Sequence, residues 1–150
     1  MAGVLASLQT AEIASGTAKK TILQLIAAAN HRDKVKEISV SFKGTSGSDA
    51  PVLVQVLRQT DAGSGGDALT PKKFNEGDDE TLRTTGLKDI DGSEPTGTDE
   101  VMGEEVHPQG GWTWQAPFGG EIIVKGGNRL GLAVTAAATQ TVKGRIVFEE

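Results

Sequence analysis

The side chains that most often hold a metal ion are scarce in this chain of 150 residues, which has two histidines and no cysteine. A zinc site needs three or four nitrogen, sulfur or oxygen ligands brought close together. Neither His31 nor His107 has a second histidine or a carboxylate at a spacing typical of such a site. We interpret His31 as a turn residue and His107 as a strand end, and the sequence predicts no metal and no cofactor.

One acidic stretch partly resembles a calcium-binding loop. Asp89, Asp91, Ser93 and Glu100 fall at positions one, three, five and twelve of such a loop. Glu94 occupies position six, where the sharp turn needs glycine, and the pattern predicts no flanking helices. We therefore interpret the stretch as an acidic loop in contact with solvent.

Patterns for covalent or phosphate chemistry are also missing. The glycine-rich segment 63–66 lacks the lysine and the helix that a phosphate loop requires. No Gly-x-Ser-x-Gly turn is found, and no serine, histidine and acid can be grouped as a triad. We nominate no catalytic residue and do not expect an enzyme.

Two tryptophans form the most distinctive aromatic feature. Trp112 and Trp114 are two residues apart, so they share one face if the segment is a strand. Tryptophan buries a large area with few rotatable bonds, which suits interface cores. Together with Phe118, the pair is compatible with ordinary packing, with a subunit interface, or with a platform for a sugar ligand.

The last thirty residues predict the elements that would position such side chains. Apolar residues alternate with polar ones around 122–124, 130–134 and 142–148, which is the period of half-buried strands. Gly126, Gly127 and Asn128 accept positive φ angles, so they predict a hairpin between the first two runs. Leu130, Leu132, Val134, Ile146 and Phe148 should form the inner face.

Further strands are predicted upstream, at 20–28, 38–42, 52–57, 71–75, 81–87, 100–107 and 112–114, with a polar loop at 45–50. The run 52–57 is apolar on both faces, as in a central strand or one covered by a partner. We predict an all-β fold, a single-domain antiparallel β-sandwich of jelly-roll type with about eight strands over residues 18–150. Residues 1–17 are predicted to form an extended N-terminal arm.

Charge is distributed unevenly around a net value of −5. Residues 71–105 are acidic, whereas residues 19–43 are basic, which suits a protein held in one orientation against a charged surface. The overall negative charge argues against nucleic acid as a partner. The chain has neither the pattern of a signal peptide nor an apolar run long enough for a membrane helix, so no membrane partner is expected.

Several short blocks together resemble a family of small tailed-bacteriophage virion proteins. They are LQLIAAANHRDKVKEISVSFKGT, PVLVQVLRQT, EEVHPQGGWTW, GGNRLGLAVTAA and the closing VFEE. The family is that of jelly-roll capsid decoration (cement) proteins. The resemblance implies a homotrimer on the outer surface of the virion capsid, made in the cytoplasm of the host bacterium. There it would bind the major capsid protein and stabilise contacts between neighbouring capsid subunits.

Two sets of residues fit that role. The candidates for capsid contact come from the arm and the basic segment: Leu5, Leu8, Ile13, Lys19, Lys20, Arg32, Lys34 and Lys36. The candidates for a trimer interface are Leu53, Leu57, Trp112, Trp114 and Phe118. On this interpretation, deletion of residues 1–16 should leave a folded trimer that no longer binds capsids.

Two alternatives have different chemistry. In a receptor- or glycan-binding module of the phage particle, Trp112 and Trp114 would form the platform. A cupin-type enzyme would need a cluster of histidines on its strands, which the sequence lacks.

Overall fold

The computed structural model describes residues 3–43 and 50–150, and every regular element in them is a β-strand. Residues 45–49 of the predicted polar loop lie outside the described residues. The strands are β1 (Leu5–Gln9), β2 (Ile13–Ala14), β3 (Lys20–Ile26), β4 (Asp33–Phe42), β5 (Val52–Gln59), β6 (Asp67–Leu69), β7 (Lys72–Lys73), β8 (Thr85–Lys88), β9 (Gly97–Val106), β10 (Trp112–Gln115), β11 (Ile122–Val124), β12 (Arg129–Thr135) and β13 (Thr141–Glu149).

Two antiparallel sheets form a sandwich, as predicted. The front sheet has the order β10-β4-β13-β1-β7, with β11 also on the edge of β4 and β2 beside β13. The back sheet has the order β6-β8-β3-β12-β5-β9. A jelly-roll connection is compatible with this arrangement. The thirteen strands of the described residues exceed the eight or so predicted because β1 and very short segments such as β2 and β6 also pair.

The core lies between the facing sheets, and the predicted inner face of the closing strands is confirmed. Leu130, Leu132 and Val134 of β12 are fully buried, as are Ile146 and Phe148 of β13. The two-residue period of a strand places these side chains on one face of β12 and of β13. Burial of side chains of this size contributes about 2–3 kcal/mol each, which makes the inner faces the main source of stability.

The predicted hairpin through Gly126 is wrong, because the strands on either side belong to different sheets. β11 pairs with β4 in the front sheet, whereas β12 pairs with β3 and β5 in the back sheet. The Gly126–Asn128 turn packs on the turn after β3 instead, and the Gly127 amide donates to the Ala27 carbonyl at 3.0 Å. Gly127 has φ of 83°, so the turn does use the left-handed conformation.

The predicted N-terminal arm is also wrong for the described residues, because this segment is part of the front sheet. β1 lies between β13 and β7 and pairs with both. Ala6 and Leu8 are fully buried, and Val4 and Ile13 are nearly so. The alternation Val4, Ala6, Leu8 is that of a strand, but the small side chain of Ala6 makes the pattern faint in the sequence.

β5 is an interior strand of the back sheet, as its two apolar faces suggested. Val52, Val54 and Val56 enter the core. β12 pairs with one edge of β5 and β9 with the other. Of the two alternatives, a central strand or a strand covered by a partner, the structure of this segment shows the first.

Candidate docking surface

The outer surface of the front sheet, called here the front face, carries side chains in cross-strand rows. Leu5, Glu149, Lys34 and Ile123 form one row across β1, β13, β4 and β11. The next two rows cross β1, β13, β4 and β10. They contain Ser7, Val147, Glu37 and Gln115, and then Gln9, Arg145, Ser39 and Thr113. The last row pairs Lys143 of β13 with Ser41 of β4.

Both ends of the first row are apolar and exposed. Leu5, the first residue of β1, is 37% exposed, and Ile123, the middle residue of β11, is 40% exposed. Phe74 lies next to Leu5, because its amide donates to the Leu5 carbonyl at 3.0 Å, and it is 57% exposed. The front face therefore combines exposed apolar groups at its two edges with polar groups between them.

The charges on this sheet are mainly positive. The strands of the front sheet hold six bases and three acids, counted from Lys34, Lys36, Lys72, Lys73, Lys143 and Arg145 against Asp33, Glu37 and Glu149. Lys36 Nζ lies 2.9 Å from Glu149 Oε2, and this hydrogen bond lowers the pKa of the Glu149 carboxyl and raises the pKa of Lys36. Arg145 is paired with Glu37.

The outer surface of the back sheet is different, because two loops cover part of it. Loops 60–66 and 89–96 are joined to each other by the Ser64 amide, which donates to the Ser93 carbonyl at 3.0 Å. Beneath them, Gln24 is fully buried and Gln59 is 4% exposed. Gln24 Nε2 donates to Gln59 Oε1 at 2.7 Å, and Glu94 accepts hydrogen bonds from Thr21.

The covering loops also make the back of the molecule acidic. The strands of the back sheet and these two loops hold nine acids and four bases. The acids are Asp61, Asp67, Asp89, Asp91, Glu94, Asp99, Glu100, Glu104 and Glu105, and the bases are Lys20, Arg58, Lys88 and Arg129. The two layers of the sandwich therefore differ in charge, and the front face is the open and more basic one.

The structure brings together only part of the set predicted for capsid contact. Leu5, Lys34 and Lys36 lie on the front face. Arg32 is exposed in the turn before β4, Lys19 is exposed in the loop before β3, and Lys20 is paired with Asp89 at the back sheet. Leu8 and Ile13 are in the core, so they are not surface groups of the folded chain.

The residues predicted for a trimer interface lie along one side of the sandwich, where β9 and β10 are the sheet edges. Arg58 of β5 links the two sheets there by donating to the Ile123 carbonyl at 3.0 Å. Trp112 and Trp114 are half-buried and pack against the core, Leu53 is half-buried, and Leu57 is 5% exposed. Phe118, in the turn between β10 and β11, is fully exposed.

A groove with a volume of about 300 Å³ lies on the front face. Its polar lining is formed by Gln9, Ser39, Ser41, Thr113, Lys143 and Arg145, and Trp112, which packs against the core, borders the groove. The sequence-based candidates did not include Lys143 and Arg145. The alternation of β13 contains the signal, since Lys143, Arg145 and Glu149 fall on the face opposite Val142, Ile146 and Phe148.

A separate group of titratable residues lies where the start of β4 meets Glu150. Asp33 is fully buried, and Thr84 Oγ1 donates to its two carboxylate oxygens at 2.8 and 2.9 Å. Burial raises the pKa of Asp33 to about 6, the Thr84 hydrogen bond opposes this effect, and the nearby Glu150 carboxylate adds to it. Glu150 also accepts the Arg83 and Thr84 amides, and His31 contacts Arg83.

No group of three or more metal-ligating side chains occurs in residues 3–43 and 50–150. The same residues include no helix with the length and apolar character needed to cross a membrane. The chain matches no protein-family model, no curated protein and no solved structure.

Proposed function

We propose that this protein is a structural virion protein of a tailed bacteriophage, a capsid decoration protein that binds the outer surface of the head. The proposal combines the resemblance of the sequence blocks to that family with one structural observation. That observation is the open front face, a four-strand surface with exposed Leu5 and Ile123 and a surplus of basic side chains.

The front face supports a docking role for physical reasons. Side chains on paired strands have little freedom to move, so binding loses little conformational entropy. Leu5 and Ile123 would supply apolar area, and Lys34 and Lys36 would orient the protein against acidic groups of the major capsid protein. The acidic back of the sandwich would then point away from the shell, toward solvent.

Self-association into a trimer belongs to the same proposal. Phe118 is the strongest anchor for it, because a fully exposed phenylalanine loses contact with water when a partner covers it. Its turn is fixed by hydrogen bonds from the Ala116 amide to the Lys36 carbonyl and from the Gly120 amide to the Pro117 carbonyl, both at 2.8 Å. Trp112 and Trp114 would support this interface from their half-buried positions.

Binding to capsids provides the direct test. Phage heads that lack the protein are mixed with the purified protein and sedimented, and the bound fraction is measured. We expect saturable binding by the native chain and strongly reduced binding by Ile123→Asp. Val101→Asp is the matched control, because Val101 is similarly exposed at 36% but belongs to β9 of the back sheet. Failure of the native chain to bind any such heads would contradict the proposal.

A receptor- or glycan-binding module is the second candidate, favoured by the half-buried Trp112 that borders the front-face groove. Serine, threonine and glutamine side chains beside an aromatic ring suit a sugar ligand. In that case oligosaccharides from the host surface should quench tryptophan fluorescence, and Trp112→Ala should remove the effect. An unchanged emission spectrum with all such sugars would exclude this candidate.

A further inference from the structure

The front-face groove combines two cationic side chains with an absence of acids in its described lining. Lys143 and Arg145 come from β13, Ser39 and Ser41 from β4, and Gln9 from β1. The volume of about 300 Å³ is open to solvent along the strands. This space corresponds to about ten water molecules, or one to two side chains of a partner.

Arg145 has hydrogen-bonding capacity that the described chain does not use. A guanidinium group has five N–H donors, and Glu37 accepts from only one nitrogen, Nη2. Nε of Arg145 is buried and has no hydrogen-bond partner among the described residues, but the side chain as a whole is 42% exposed. An acceptor that approached the exposed part of the side chain would meet the Nη donors that Glu37 does not engage.

Lys143 adds a second cation at a defined spacing. It makes no ion pair within the described residues, whereas the neighbouring Lys43 is paired with Glu12 at 3.3 Å. Lys143 and Arg145 are two residues apart on one face of β13, so their Cα atoms are separated by about 7 Å. In an extended peptide, side chains two residues apart have the same separation.

We propose that this groove binds an extended acidic peptide segment with carboxylates at two positions, i and i+2. One carboxylate contacts Lys143 and the other contacts the exposed donors of Arg145. Ser39, Ser41 and Gln9 supply hydrogen-bonding groups between them. In the proposed function, this peptide is an acidic segment of the major capsid protein. Only the identity of the partner rests on the proposed function. The matched spacing of the two cations favours a peptide over a single small anion or an acidic sugar.

Titration of the isolated protein tests the groove without capsids. The probe is the peptide acetyl-Thr-Glu-Thr-Glu-Thr-amide, and the matched peptide has glutamine in place of both glutamates. With ¹⁵N-labelled protein, we expect the glutamate peptide to shift the backbone amide signals of Thr113, Lys143 and Arg145, and the glutamine peptide to leave them unchanged. Lys143→Glu should weaken binding on the order of tenfold. Lys125→Glu, with the same charge change at an exposed position outside the groove, should not.

Three results would overturn the inference: no shift at groove residues, equal binding by Lys143→Glu, or equal shifts with inorganic phosphate or an acidic sugar at the same concentration. Thermal unfolding of each variant shows whether a loss of binding reflects a loss of folding.

Sedimentation with heads separates this inference from the proposed function. If the native chain and Lys143→Glu bind heads equally well, the groove is not the capsid contact, and the decoration role stands. If the native chain binds the glutamate peptide but no heads, the decoration role fails, and the peptide site stands.

Discussion

Asp33 places a carboxyl group inside the sandwich, where its charged form is costly. Because burial raises its pKa from 3.8 to about 6, the folded chain holds this proton more tightly than the unfolded chain does. The resulting stability is complete below pH 3.8 and is lost as the pH rises through about 6. The pKa of Asp61 is shifted the other way, by hydrogen bonds from Thr96 and Gly63, so its contribution is lost as the pH falls.

The substitution Asp33→Asn should remove the pH dependence that Asp33 causes. Asparagine is neutral and nearly isosteric with the protonated acid, so the variant should be more stable than the native chain at pH 8 by about 1–3 kcal/mol. The difference should shrink toward pH 4. Urea unfolding at both pH values measures it. Asp61→Asn is the comparison with the opposite sign, and a native-like pH profile in Asp33→Asn would contradict the assignment.

Gln24 is the central residue of the buried polar layer under the loops of the back sheet. Its amide nitrogen donates to Gln59 and to the Asp61 carbonyl at 2.9 Å, and its oxygen accepts from Arg129 at 2.8 Å. Gln24→Leu should cost about 2–4 kcal/mol, because it leaves several buried polar groups without partners. Gln55→Leu, at an exposed position on the same sheet, should cost much less. Denaturant unfolding compares the two, and equal losses would show that the network is unimportant.

At the scale of elements, β1 makes the N-terminal region necessary for the stability of the sandwich. Deletion of residues 1–16 is now expected to unfold the chain and not to leave a folded trimer. The reason is that β1 supplies buried Ala6 and Leu8 and pairs with β13. Deletion of residues 1–9 should therefore leave the chain largely unfolded, and Leu8→Ala alone should cost about 3–4 kcal/mol. Deletion of residues 1–2 is the control. Circular dichroism and thermal unfolding measure the outcome, and a cooperative transition in the longer deletion would contradict it.

The sequence predicted the positions of individual strands much better than it predicted which strands pair with each other. Apolar alternation shows which face of β12 or β13 points inward, and these faces are buried as expected. Alternation carries no information on which strand lies alongside, so the Gly126–Asn128 turn could not be recognised as a crossing between sheets. β1 was missed because alanine and serine give weak contrast between its two faces.

The same limit applied to the candidate site. Lys34 and Lys36 were found because they lie in a basic stretch of sequence, whereas Lys143 and Arg145 come from a distant strand that pairs beside β4. Which outer face stays open depends on the loops that cover the back sheet. Gln24, a polar residue between buried leucines on β3, was the residue in the sequence that indicated such a covering loop.

At the scale of the whole molecule, the proposed trimer makes a prediction about mass. The chain has a mass of 15.6 kDa, and the native protein in solution should have three times that value. Phe118→Asp should give a monomer, because a carboxylate cannot be buried at an apolar contact without a partner. Phe74→Asp is the matched control on the other side of the sandwich. Light scattering after size-exclusion chromatography measures the masses, and a monomeric native protein would contradict the trimer.

The first and last described strands are direct neighbours, and Val4 and Glu150 exchange backbone hydrogen bonds at 3.0 Å in both directions. On the ribosome, β1 emerges well before its partner β13. Pairing of β1 with β13 and full burial of Leu8 are therefore not possible until residues 141–149 have been synthesised. We expect incomplete chains that lack β13 to be targets for chaperones that bind exposed apolar segments.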